Sequence, residues 1–168
     1  MKDELKVEIS STFEQLYQTL SLFTQGEINA IPFEGSWTSG QVARHIIKAT
    51  SGLKQVCDNN TQKLAVNPEE KVPALKQLFL DFSTKMNSPE FIYPEEKDYD
   101  KERLLSTIKK IEEELLYIAN NYDLSLTCME FEMPGFGNLT IYELVSFAVV
   151  HTKRHIYQLT NIYKALRN

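Results

Sequence analysis

The chain holds three histidines, and two of them, His151 and His155, stand four residues apart. On a helix that spacing places both side chains on one face, about 6 Å apart along the axis. Two imidazoles so placed can share one metal ion. The third, His45, follows a helix-start pattern, Trp37-Thr38-Ser39-Gly40-Gln41. If its helix lies against the helix of the pair, all three converge. Three neutral imidazoles with no evident fourth protein ligand describe an open divalent-ion site that holds water or substrate. The other reading is that these are core histidines hydrogen-bonded across the fold. Spacing alone leaves both standing.

Other chemistries find less support. The segment from His151 to His155 has the histidine spacing of a zinc protease, but that motif needs glutamate directly after the first histidine as general base. Thr152 stands there. Cys57 and Cys128 form no Cys-x-x-Cys and lie near no histidine in sequence, so they read as buried spectators. Gly135-Phe136-Gly137 lacks the strand–helix setting of a phosphate loop and reads as a turn, so no nucleotide cofactor is expected. Glu112-Glu113-Glu114 reads as a solvated helix face. Phe33, Trp37 and Phe136 flank the starts of the two histidine-bearing helices. They either wall a substrate pocket or plug the end of the fold.

The elements that must position these residues are legible as apolar stripes. Ile9, Phe13, Leu16, Leu20 and Phe23 repeat at helical spacing, with Gly26 as the expected stop. A second helix opens at Thr38, where Thr-x-x-Gln has the form of a capping box. It runs to about residue 58, with Val42, His45, Ile46, Ala49, Leu53 and Val56 inward. Residues 61–99 carry four prolines and read as a surface crossover with a short helix near Ala74–Phe82. A third helix starts near Asp100 and carries Leu105, Ile108, Ile111, Leu115 and Ile118. A turn-rich connection follows. The fourth helix opens with a second capping-box form, Thr140-x-x-Glu143, and turns Leu144, Ala148, His151, His155, Leu159 and Ile162 inward.

Four long helices with one long crossover predict an all-α fold: a single four-helix-bundle domain spanning 1–168, with the long connection between helices two and three. Short connections make neighbours antiparallel and a long one lets them run parallel, which gives up-down-down-up. The hydrophobic fraction of 42% suffices for a core. The net charge of −5 argues against nucleic acid, which normally requires a basic footprint. No apolar run approaches the ~20 residues of a membrane span, and the charged first residues do not resemble a signal peptide. A cytoplasmic location is the expectation.

Two blocks resemble a known family. Trp37-Thr38-x-x-Gln41-x-x-x-His45-Ile46 looks like the second-helix signature of the DinB/YfiT-like superfamily, and His151-x-x-x-His155-Ile156-x-Gln158-Leu159 like its fourth-helix signature. Pro134-Gly135-x-Gly137-Asn138-Leu139-Thr140 is similar to the family's lead into that helix. The resemblance implies the up-down-down-up bundle. It also implies a divalent metal, zinc or nickel above all, on His45, His151 and His155. It further implies a homodimer and a small-molecule substrate. Characterised members include transferases and isomerases that use low-molecular-weight thiols such as bacillithiol or mycothiol, and hydrolase-like proteins. The fourth helix departs from the commoner His-His-Arg-Gly-Gln form: Arg154 precedes the second ligand and Ile156-Tyr157 stand where Arg-Gly often does. A metal-dependent transferase or hydrolase is therefore the first functional expectation. A non-catalytic bundle with a structural metal, or one serving in assembly, is the second. Gln41, Glu143, Arg154 and Gln158 lie near the ligands, with no catalytic acid or base assigned among them.

Overall fold

The computed structural model describes residues 2–167. Four long helices dominate: α1 (Lys2–Ser21), α3 (Ser39–Thr50), α6 (Lys101–Asn121) and α7 (Ile141–Ala165). Shorter helices α2 (Gln25–Ile28), α4 (Leu53–Asp58) and α5 (Val72–Phe79) join them. Both α1 and α3 pack against α6 and α7, so the apolar stripes meet in one core. Ile9, Phe13 and Leu16 come from α1, Ile46 from α3, Ile108 and Leu115 from α6, and Leu144 and Leu159 from α7, all essentially sealed from water.

Both expected capping boxes are present. Thr38 and Gln41 exchange side chain–backbone hydrogen bonds at the start of α3, as Thr140 and Glu143 do at the start of α7. They satisfy amides that helix geometry leaves without partners. These two helices carry the histidines, so the caps fix where each begins.

Several expectations need correction. The connection after α6 is not a plain turn. Strands β1 (Thr61–Lys63), β2 (Leu126–Met133) and β3 (Gly137–Thr140) form a three-stranded antiparallel sheet in that order. The fold is mostly helical but carries this sheet. The β2–β3 register is irregular between Thr127 and Glu132, and the Asn138 amide donates to the carbonyls of Cys128, Met129 and Phe131 there. Strand β3 runs directly into α7, so the sheet sets that helix's starting point. The expected second helix is two: α3 ends at Thr50 and α4 begins at Leu53, with Gly52 between them at φ 94°. A left-handed residue cannot continue a helix, and glycine adopts that conformation without a Cβ penalty. Gly26 does not end α1, which stops at Ser21; it lies inside α2, itself opened by a capping box at Thr24. Helix α5 ends at Phe79, leaving Phe82 beyond it and exposed.

Candidate metal centre

The capped starts of α3 and α7 place His45 one helical turn or more inside its helix and His151 and His155 near the middle of theirs. The helices pack side by side, and all three imidazoles are buried in the contact. They converge through one atom type. His151 Nε2 lies 3.1 Å from His45 Nε2 and 3.1 Å from His155 Nε2. One ligand atom from each residue falls within 4.8 Å of the others. Among the described residues no aspartate, glutamate or cysteine joins the group.

The outward nitrogens decide the protonation of the inward ones. His45 Nδ1 lies 3.0 Å from the Ile92 carbonyl oxygen, which only accepts, so Nδ1 carries the proton. His155 Nδ1 donates likewise to Gln158 Oε1 at 2.8 Å. Both Nε2 atoms therefore present lone pairs. His151 Nδ1 is buried without a hydrogen-bond partner, beside the rings of Phe79 and Phe147. A single proton on His151 Nε2 serves one neighbour well and leaves the other lone pair facing nitrogen. A cation satisfies all three at once. Nitrogens sharing one tetrahedral ion at ~2.0–2.1 Å lie roughly 3.3 Å apart, close to the 3.1 Å that separates His151 Nε2 from each of the other two.

Electrostatics keep the cluster neutral. Burial pushes His155 down to about 3, reinforced by His45. Burial lowers His151 well below the usual imidazole range, with His155 and His45 adding to it, and lowers His45 despite the opposing Ile92 bond. Neutral imidazole is the form that binds metal. The three residues could hold a divalent ion.

The residues near the three histidines have separate duties. Gln41 and Glu143 cap helices, and the Glu143 carboxylate also accepts from the Lys71 amide at 2.7 Å. Gln158 orients His155. Arg154 donates to the carbonyls of Phe79, Asp81 and Thr84, and to none of the histidines. Trp37 packs on His45, ring centroids 5.2 Å apart, and on Tyr93 at 5.1 Å. Phe33 is exposed. Phe136 lines a surface depression with Leu78, Asp81 and Pro134, which no histidine lines. The structure thus brings Trp37, but not Phe136, into the surroundings of the three imidazoles. Sequence reasoning missed Ile92, whose contribution is a main-chain carbonyl, and Phe79 and Phe147, which carry no chemical signal.

Comparison with curated proteins and with solved structures finds no match. The family model of the DinB superfamily matches residues 8–159, which include both histidine blocks and all four long helices over most of their length. The chain belongs to the DinB superfamily.

Proposed function

We propose that this protein is a divalent-metal-dependent enzyme whose ion is held by His45, His151 and His155. The observation that carries this reading is the convergence of three Nε2 atoms, two of them fixed as lone-pair donors by Ile92 and Gln158. When bound, a divalent ion supplies the positive charge that lowers the pKa of a neighbouring thiol or water to near neutrality. The protein's own residues do the rest. Three imidazoles hold the charge and leave room for an exchangeable ligand. Trp37, Phe79 and Phe147 line the cluster with ring surface and exclude water. An apolar wall strengthens every charge interaction inside it.

The reaction class we favour is addition of a low-molecular-weight thiol to an electrophilic small molecule, with metal-assisted hydrolysis as the close variant. Family membership supports it, and zinc or nickel suits an all-imidazole donor set. The pairing of α1 and α3 with both α6 and α7 supports the up-down-down-up four-helix bundle. We extend to this chain the single domain and the cytoplasmic location that the sequence suggests, and the homodimer that the family resemblance implies. A structural metal is the competing reading, because the imidazoles are buried.

The test is elemental analysis of untagged protein, with thiol-transfer and hydrolysis assays before and after chelation. One ion per chain, lost in the triple histidine-to-alanine variant, is the expected result. Full occupancy in that variant would refute the ligand assignment. Metal binding without metal-dependent turnover would favour the structural reading.

A further inference from the structure

The three imidazoles are 3%, 5% and 9% exposed, yet a working centre must admit an ion and a substrate. Something must move. The segment of residues 80–95 runs past the cluster and closes over His45. It starts at the end of α5, whose last residue Phe79 packs on His151. It then crosses to α3, where Ser88 Oγ lies 3.4 Å from His45 Nδ1 and the Ile92 carbonyl accepts from the same nitrogen. Residues 80–89 form no helix or strand, and 85–88 make no backbone–backbone hydrogen bond. Most of this stretch faces solvent.

What holds the segment is two clamps, each set beside a histidine. Arg154, next to His155, donates to three main-chain carbonyls, and Phe82 stacks on Tyr157 with centroids 4.4 Å apart. Arg44, next to His45, makes a two-point pair with Glu95, Nε at 2.9 Å and Nη2 at 3.1 Å. Lys48 adds a bond to the Tyr93 carbonyl at 2.6 Å and reaches Glu95 at 3.4 Å, and the Tyr99 hydroxyl donates to the Glu95 carbonyl at 2.7 Å and to its carboxylate at 3.2 Å. Glu95 is 42% exposed, and ion pairs in reach of water hold weakly. The α7 end is held instead by a stacked ring and three carbonyl bonds, with no carboxylate among its partners.

We propose that residues 80–95 are a gate over the histidine centre, hinged at the Arg154 clamp and released at the Arg44–Glu95 clamp. Opening withdraws Ser88 and the Ile92 carbonyl from His45. It frees Tyr93 from Trp37 and uncovers the imidazoles on the α3 side. Closing restores the Ile92 bond that fixes the His45 lone pair inward, so access and ligand geometry are set by one movement. The gate rests on the reading of the three histidines as a working centre.

The sequence supplies a probe that needs no metal. The chain has three histidines, and all are in the cluster. Diethyl pyrocarbonate transfers an ethoxycarbonyl group to neutral imidazole, and the absorbance of the product reports only on histidine. In chelated protein the wild type should react slowly. Glu95→Gln should react at least about threefold faster. Lys48→Gln, which leaves the Arg44–Glu95 pair in place, should react faster by a smaller factor. Asp58→Asn, which breaks the ion pair with Lys54 on α4, 2.6 Å long and similarly exposed, should react at the wild-type rate. Zinc uptake and chelator-driven release should accelerate together in Glu95→Gln. Wild-type reaction rates in helical, folded Glu95→Gln and Lys48→Gln would overturn the gate, as would equal acceleration in Asp58→Asn. If Glu95→Gln does not fold, Lys48→Gln alone decides. Failure of the wild type to bind zinc would sink the metal reading, while carbethoxylation would still report on the gate.

Discussion

At the scale of the residue, the three imidazoles are not equally supported. His45 and His155 each have a fixed outer partner, whereas His151 has none. Outer hydrogen bonds to ligating histidines fix ring orientation and raise ligand basicity, and their loss typically costs about 10–100-fold in metal affinity. Gln158→Leu should therefore weaken zinc binding by about that factor in a chelator competition, while Gln158→Glu should preserve it, since a carboxylate also accepts from Nδ1. Unchanged affinity in Gln158→Leu would show that packing alone holds His155. The metal-free protein should respond to acid through the same side chain. Its folded pKa is pushed to about 3, mainly by burial, against ~6.5 in the unfolded chain. Between those values the unfolded state binds a proton that the folded state does not, so stability falls as the pH falls. The contribution is complete above ~6.5 and is lost on the way down to about 3. Thermal midpoints of chelated protein across that window should drop, and less steeply in His155→Gln. A midpoint independent of pH between those limits would mean that the imidazole is not held neutral by burial.

At the scale of the element, the caps and close approaches that set the histidine helices should be costly to alter. Glu143 is 1% exposed and accepts from the amides of Thr140 and Lys71, joining the start of α7 to the start of α5. Glu143→Ala leaves both donors without that partner and should cost about 2–4 kcal/mol in denaturant unfolding. Gly40 sits where α3 passes α2: a Cβ there would lie 2.9 Å from the Ile28 carbonyl and 3.1 Å from the Tyr99 ring. Alanine is the better helix former by ~1 kcal/mol, yet Gly40→Ala should destabilise by about 1–3 kcal/mol, because the backbone oxygen cannot move aside freely. A stability gain on equilibrium unfolding would show that α2 shifts easily. Both caps on these helices were legible in the sequence, since Thr-x-x-Gln and Thr-x-x-Glu are local patterns with a local cause. The sheet was only partly so. Met129-Glu130-Phe131-Glu132-Met133 alternates apolar with charged residues and its burial alternates with it, a strand signal that the turn residues after Met133 masked; Thr127 and Cys128, both buried, break the period, and the pairing with β1 is set by tertiary structure alone. The break at Gly52 was missed because Leu53 continues the apolar stripe of α3 across it. At the site, the imidazoles announced themselves by type and spacing. Ile92 could not, because a carbonyl is common to every residue and only the tertiary path brings this one to His45.

At the scale of the whole molecule, the core and the centre are largely separate investments of sequence. Helices α1 and α6 contribute Phe13, Leu16, Ile108, Leu115 and Ile118 to the sealed interior and none of the three imidazoles. The contacts of α3 and α7 extend well beyond the cluster, through Ile46, Leu144 and Leu159. Folding should therefore not wait for an ion, unlike a zinc finger, whose core is too small without one. An ion bound only by the folded state adds stability by mass action, about 2.7 kcal/mol when present at 100 times its dissociation constant. For a chain of this size each kcal/mol moves the thermal midpoint by roughly 2–4 °C. Chelation should then lower the midpoint by about 5–11 °C and leave the far-ultraviolet helical signal nearly intact at room temperature. Raising free zinc tenfold should lift the midpoint by a further increment of about 1.4 kcal/mol, until a second binding mode intervenes. Loss of most helical signal on chelation would mean that the three imidazoles, repelling through their lone pairs, open the α3–α7 contact without a cation. The apolar stripes would then be insufficient to hold the fold, and the centre would have to be counted as part of the core.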